Sequence, residues 1–89
     1  MRAGLLGIEG LTRGYALRLA SEGVSVNAVA PGLIATEMGQ PLIDAGVGAR
    51  IPLGRPGTGE EIAQAVLLLV GNAYMTGQTI AVNGGSLFS

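Results

Sequence analysis

The sequence contains no cysteine, no histidine, no tryptophan and no lysine. Without cysteine there are no disulfides and no thiol nucleophile. Without histidine there is no imidazole base, no Ser-His-Asp triad and no Cys/His zinc set. The lack of disulfides fits a reducing, cytoplasmic setting. Positive charge is limited to five arginines against six acids, a net charge of −1. No basic stripe exists to neutralise a phosphate backbone, so nucleic acid is excluded as a partner. The longest aliphatic run, Val66 to Val70, is far short of the roughly 20 apolar residues that cross a bilayer. Glu9 interrupts the apolar start before it reaches the length of a signal peptide. The polar faces are not basic, which also argues against a membrane-surface helix.

What is present is apolar residues, 48% of the 89, and sixteen glycines. Apolar residues at Leu5, Ile8, Leu11, Tyr15 and Leu19 recur at helical spacing and predict a first helix over Gly4 to Ala20. Gly7, Gly10 and Gly14 share a stripe of that helix. Each costs up to about 1 kcal/mol relative to alanine, so close packing against the stripe is expected, with Tyr15 in the core. Gly23 suits the left-handed turn that ends the helix. Val24 to Ala30 reads as a buried strand stopped by Pro31-Gly32, with Asn27 as a structural hydrogen-bonding residue inside it. Residues 33–58 show no sustained period and are expected to be a long mobile loop, either a substrate lid or a disordered linker. Thr58 with Glu61 forms a capping box for a second helix that runs to about Val70, and Thr76 to Val82 reads as a second strand. Tyr74, just before it, is expected at a packing contact or an interface. Glu37 and Asp44 stand too far apart for an acid/base pair and are expected in solvent.

The order helix, strand, long loop, helix, strand predicts an α/β fold with a parallel sheet. Two strands are too few for a sheet that needs both faces covered, and a mean hydropathy of +0.51 implies apolar surfaces awaiting partners.

Four segments occur in family order: Gly7 to Arg13, Val26 to Met38, Ile51 to Arg55 and Thr76 to Gly85. Together they resemble the classical short-chain dehydrogenase/reductases across essentially all 89 residues. Val82-Asn83-Gly84-Gly85 and Ile51 to Arg55 look most like the 3-oxoacyl-acyl-carrier-protein reductase branch, although sugar and alcohol dehydrogenases share both. The resemblance implies the C-terminal portion of a doubly wound, Rossmann-type, dinucleotide-binding domain over residues 1–89. It also implies an NAD(P)-dependent oxidoreductase acting on a ketone or alcohol, and a homo-oligomer when complete.

In that family a Tyr-x-x-x-Lys pair precedes the stretch matching Gly7-Ile8-Glu9-Gly10. Here the two positions fall on Met1 and Leu5, so no catalytic residue is expected in this chain. By the same resemblance Pro31 and Gly32 lie along the nicotinamide ring, while the Ile34 backbone and the Thr36 hydroxyl meet its carboxamide. NAD or NADP is expected in the complete family fold, and neither is expected to bind this chain alone. The rival expectation is a non-catalytic small protein that self-associates or pairs with a full-length relative.

Overall fold

A computed structural model describes the backbone of residues 2–86 and the side chains of residues 7–86. The first helix, α1, spans Arg2–Leu19 and tightens into a short 3-10 turn at Ala20–Glu22. Gly23 closes it at φ 76°, its N–H donating to Ala20 O (3.0 Å), the left-handed cap expected from glycine there. The first strand, β1, spans Ala28–Pro31; a short helix, α2, spans Gln40–Asp44, followed by a 3-10 turn at Val47–Arg50. The third helix, α3, spans Gly59–Gly71 and the second strand, β2, spans Thr79–Val82. The strands pair in parallel, with Ala28 opposite Thr79 and Pro31 opposite Val82. This is the α/β class expected, because α3 supplies the crossover that parallel neighbours require.

Both strands are shorter than the apolar runs that announce them. Asn27 is the cause. Its Nδ2 donates to Met75 O (3.0 Å) and its Oδ1 accepts from Gln78 N–H (3.1 Å), so a side chain takes the place of a ladder bond just before Ala28. On the other strand Gly77 turns at φ 74°. Asn27 is therefore structural, as its half-buried amide suggested, and it ties the two strand starts together.

The helix α1 does not sit as its hydrophobic pattern predicts. It rests on the sheet through Ala16 and Thr12, both buried, with the Thr12 hydroxyl donating to Ile8 O (2.7 Å). The leucine-rich side faces away: Leu11 is 64% exposed and Tyr15 52%, so Tyr15 is not a core residue in this chain. A Cβ built on Gly7, Gly10 or Gly14 meets nothing within 4 Å, so the expected close packing along the stripe is absent too. Small residues let α1 approach the two strands closely, and two strands offer nothing for the opposite side. The buried apolar residues are Ala16, Ala30, Ile51 and Leu69, and among the described residues no large side chain is fully enclosed.

The segment 33–58 is folded rather than a bare loop. Pro41, whose fixed φ suits a first helical turn, opens α2. A parallel bridge joins Ile34 to Gly57, and Leu53 N–H donates to Gly84 O (3.0 Å). The bridge closes the segment on itself, and the Leu53 bond holds it beside the end of β2. Gly84 and Gly85 have φ of 63° and 90°, and Cβ atoms there would lie 2.7 Å from Ile51 Cγ2 and 3.1 Å from Pro52 Cβ. No described helix is long and apolar enough to cross a membrane.

Candidate functional site

Beyond the carboxyl ends of the two strands lies a cavity of about 660 Å³. That is the end at which open α/β sheets receive ligands, and the volume falls within the usual range of about 300 to 1,000 Å³ for small-molecule sites. All four residues singled out in the sequence, Pro31, Gly32, Ile34 and Thr36, line it together. Met38, Leu42, Val47, Ile51 and Ser86 also line it; the sequence reading named none of them as site residues, although all but Ser86 lie in the 33–58 segment it read as a substrate lid or linker.

The backbone explains how the wall is presented. In the parallel bridge Gly57 N–H donates to Leu33 O (2.9 Å) and Ala35 N–H donates to Gly57 O (2.8 Å). Those bonds use the groups on either side of Ile34. The Ile34 carbonyl accepts from Thr36 N–H (2.8 Å), while the Ile34 N–H has no acceptor among the described residues. The Thr36 hydroxyl receives only a long contact from Gly39 N–H (3.4 Å), which leaves its own hydrogen to donate.

Gly32 has a structural reason of its own. A Cβ there would fall 2.8 Å from Asn83 Cβ and 2.9 Å from Asn83 Cα, because Gly32 N–H continues the ladder to Val82 O (2.9 Å). The glycine is thus required by the residue that follows the neighbouring strand, whatever lies on its open side.

No charged side chain lines the cavity among the described residues. Its lining is mostly apolar. It offers no cation for a phosphate. The nearest strong charge pair lies outside it: Arg55 Nη1 and Nη2 donate to Glu61 Oε1 and Oε2, each at 2.8 Å. The Arg55 guanidinium, with help from Thr58 N–H, lowers the Glu61 carboxyl to about 2. The pair therefore persists above the ordinary carboxylate range and is lost only as pH falls from there towards 2. Glu61 also completes the capping box with Thr58, as the sequence predicts. Asp44 accepts from Gln40 Nε2 (2.8 Å) at the surface.

The two positions matched to the family's tyrosine and lysine cannot be placed: Met1 lies outside the described residues, and Leu5 lies among those without a described side chain. Tyr15 faces a different cavity with Gly10, Leu11, Gly14 and Arg18. Tyr74 is 99% exposed and precedes β2, at the end of the strands away from the site, so it makes no packing contact here.

The fold, a parallel α/β sheet with its cavity beyond the strand ends, is of the Rossmann type. A family model described as enoyl-(acyl carrier protein) reductase matches residues 1–86. The chain is 48% identical over 79 residues to carbonyl reductase family member 4 of Danio rerio, covering 89% of this chain and 33% of that protein. It is 49% identical over 88 residues to the 3-oxoacyl-[acyl-carrier-protein] reductase FabG of Pseudomonas aeruginosa, covering 93% and 36%. Among solved structures, YwfH, an NADPH-dependent reductase involved in bacilysin biosynthesis, superposes with a TM-score of 0.82 at 27% identity, covering 94% of this chain and 38% of that one. A short-chain type dehydrogenase/reductase from Mycobacterium marinum gives 0.79 at 40% identity, covering 92% and 34%. The chain belongs to the short-chain dehydrogenase/reductase family. It spans about a third of the length of the relatives it matches.

Proposed function

We propose that this chain forms the nicotinamide-side wall of an NAD(P)-dependent oxidoreductase that interconverts a carbonyl compound and its alcohol by moving hydride from or to the nicotinamide. One observation carries the reading: the unpaired Ile34 N–H and the Thr36 hydroxyl both belong to residues lining the apolar cavity beyond the strand ends. When bound, the dinucleotide supplies the hydride. The residues of this chain hold its ring, with Pro31 and Gly32 along one face and Ile34 and Thr36 on the carboxamide. Fixing the ring fixes which face meets the substrate. Relatives that act on 3-oxoacyl and carbonyl compounds support a ketone as substrate, and Met38, Leu42 and Val47 give its alkyl part an apolar surface.

The family's proton-donor tyrosine and its lysine fall on Met1 and Leu5 here, and the phosphate site lies in a part of the family fold that this chain does not span. There is no lysine in the sequence, and neither tyrosine faces the cavity. The 89-residue chain is therefore inactive alone, and a cytoplasmic homo-oligomer is the working form of the complete enzyme. A second reading, a non-catalytic protein that self-associates or pairs with a full-length relative, is favoured by the exposed Leu11, Leu17 and Val70. A well-folded monomer in sedimentation would sink it.

The main reading is tested on the isolated, nitrogen-15-labelled chain. NADPH at micromolar concentration neither binds nor is oxidised, whereas millimolar nicotinamide mononucleotide shifts the amide signals of Ile34 and Thr36. Turnover of NADPH would overturn the reading that the chain alone lacks a proton donor. Shifts that are missing, or scattered over the surface, would overturn the wall.

A further inference from the structure

A ring of polar contacts closes over three residues beside the cavity wall. Arg55 reaches both carboxylate oxygens of Glu61 and also donates from Nη1 to Pro56 O (3.0 Å). Glu61 Oε1 accepts a further bond from Thr58 N–H (3.0 Å). The enclosed segment is Pro56-Gly57-Thr58. Its middle residue makes both bonds to the wall, to Leu33 O and from Ala35 N–H. Space at Gly57 is closed from two sides, since a Cβ there would lie 3.1 Å from Ile34 Cδ1 and 3.8 Å from Glu61 Oε1.

Stability is a weak reason for this pair. Its side chains are 54% and 35% exposed, and an ion pair so open to water adds little to stability. A bidentate fork, in contrast, fixes direction as well as distance. Neither residue lines the large cavity, so any effect on a ligand passes through Gly57.

Building on the nicotinamide reading, we propose that Arg55 and Glu61 are a positioning pair for the site: by clamping Gly57 against Leu33 and Ala35 they set the direction in which the Ile34 N–H and the Thr36 hydroxyl are presented. Two links separate the pair from the ligand. The fork holds the Pro56 to Thr58 turn, and the turn holds the bridge whose central residue carries the unpaired N–H.

Amide hydrogen exchange on the 89-residue chain tests this without any turnover. The readout is the exchange of Ala35 and Gly57, which bond across the bridge, relative to Ala28 and Gly32, which bond across the β1–β2 ladder. Arg55→Ala should raise that ratio about fivefold, the scale of a lost exposed pair read as local opening. Arg55→Lys, which keeps the charge and loses the fork, should give a smaller rise. Thr58→Ala removes the cap hydroxyl but leaves the fork, and should leave the ratio unchanged. The nicotinamide mononucleotide shifts at Ile34 and Thr36 should shrink in step with the ratio across these variants. An unchanged ratio in Arg55→Ala, or an equal rise at all four amides, overturns the proposal. So does a rise in Thr58→Ala matching that in Arg55→Ala, which would reduce the pair to helix capping. Absence of ligand shifts in the unaltered chain counts against the nicotinamide reading instead, and the exchange ratio still decides whether the pair holds the bridge.

Discussion

Glycine recurs in two stretches of this chain, and the two differ in what lies beside it. Around the cavity, the space a side chain would occupy at Gly32, Gly57, Gly84 and Gly85 is filled by Asn83, Ile34, Ile51 and Pro52. On α1, the space at Gly7, Gly10 and Gly14 is empty. A missing side chain next to a filled space is a packing requirement that this chain itself imposes. A missing side chain next to open space is not, and α1 bears the cost in helix propensity without a visible return. The difference separates a part of the molecule that is finished within these residues, the strand ends and the cavity wall, from a part that is not.

Of the changes considered, Gly32→Ala breaks the finished part hardest. The new Cβ would meet the backbone of Asn83 as well as its Cβ, and backbone directly after a paired strand cannot swing aside as a side chain end can. A loss of about 3 kcal/mol is expected, at the upper end of ordinary overpacking. Chemical denaturation would measure it. A variant as stable as the parent would show that the β1–β2 crossing is looser than these distances state.

Asn27→Ala comes next. It removes the donor to Met75 O and the acceptor for Gln78 N–H at a half-buried position. A loss of about 1 to 2 kcal/mol follows from leaving those backbone groups to partial solvent. Faster exchange of the Gln78 amide relative to Ala28 should accompany it. If the stability falls while Gln78 stays protected, Asn27 acts through something other than this bond.

These same residues show what a sequence can and cannot announce. The capping box at Thr58 and Glu61, the glycine cap at Gly23 and the turn that ends β1 are local devices, each written within a few adjacent residues. They were legible. So was the grouping of Pro31, Gly32, Ile34 and Thr36, because one turn after one strand carries all four. The rest of the cavity lining was not, since Gln40–Asp44 is too short to display a helical period and Ile51 and Ser86 arrive from separate segments. The fork from Arg55 to Glu61 spans a helix start, so it has none of the three- or four-residue spacing that marks pairs within a helix. The face of α1 was misjudged for another reason. Its sheet-side contact uses Ala16 and a threonine whose hydroxyl is satisfied by its own helix, and neither stands out beside leucines three and four apart.

The smallest effect sharpens the comparison from the unfinished side, and its sign is opposite. Gly10→Ala and Gly14→Ala place a methyl where nothing stands within 4 Å, in a helix where alanine is favoured over glycine by about 1 kcal/mol at most. Each should stabilise the 89-residue chain by about 0.5 to 1 kcal/mol, raising Tm by a few degrees on the scale of about 4 to 8 °C per kcal/mol for domains of this size. A fall in Tm would mean that the stripe is already covered in solution, for example by a second copy of the chain. That outcome turns a stability measurement into a test of association. A loss that deepens with protein concentration would locate the covering partner on Gly10 and Gly14, because only a contact between molecules makes the penalty of a methyl depend on how many molecules are present.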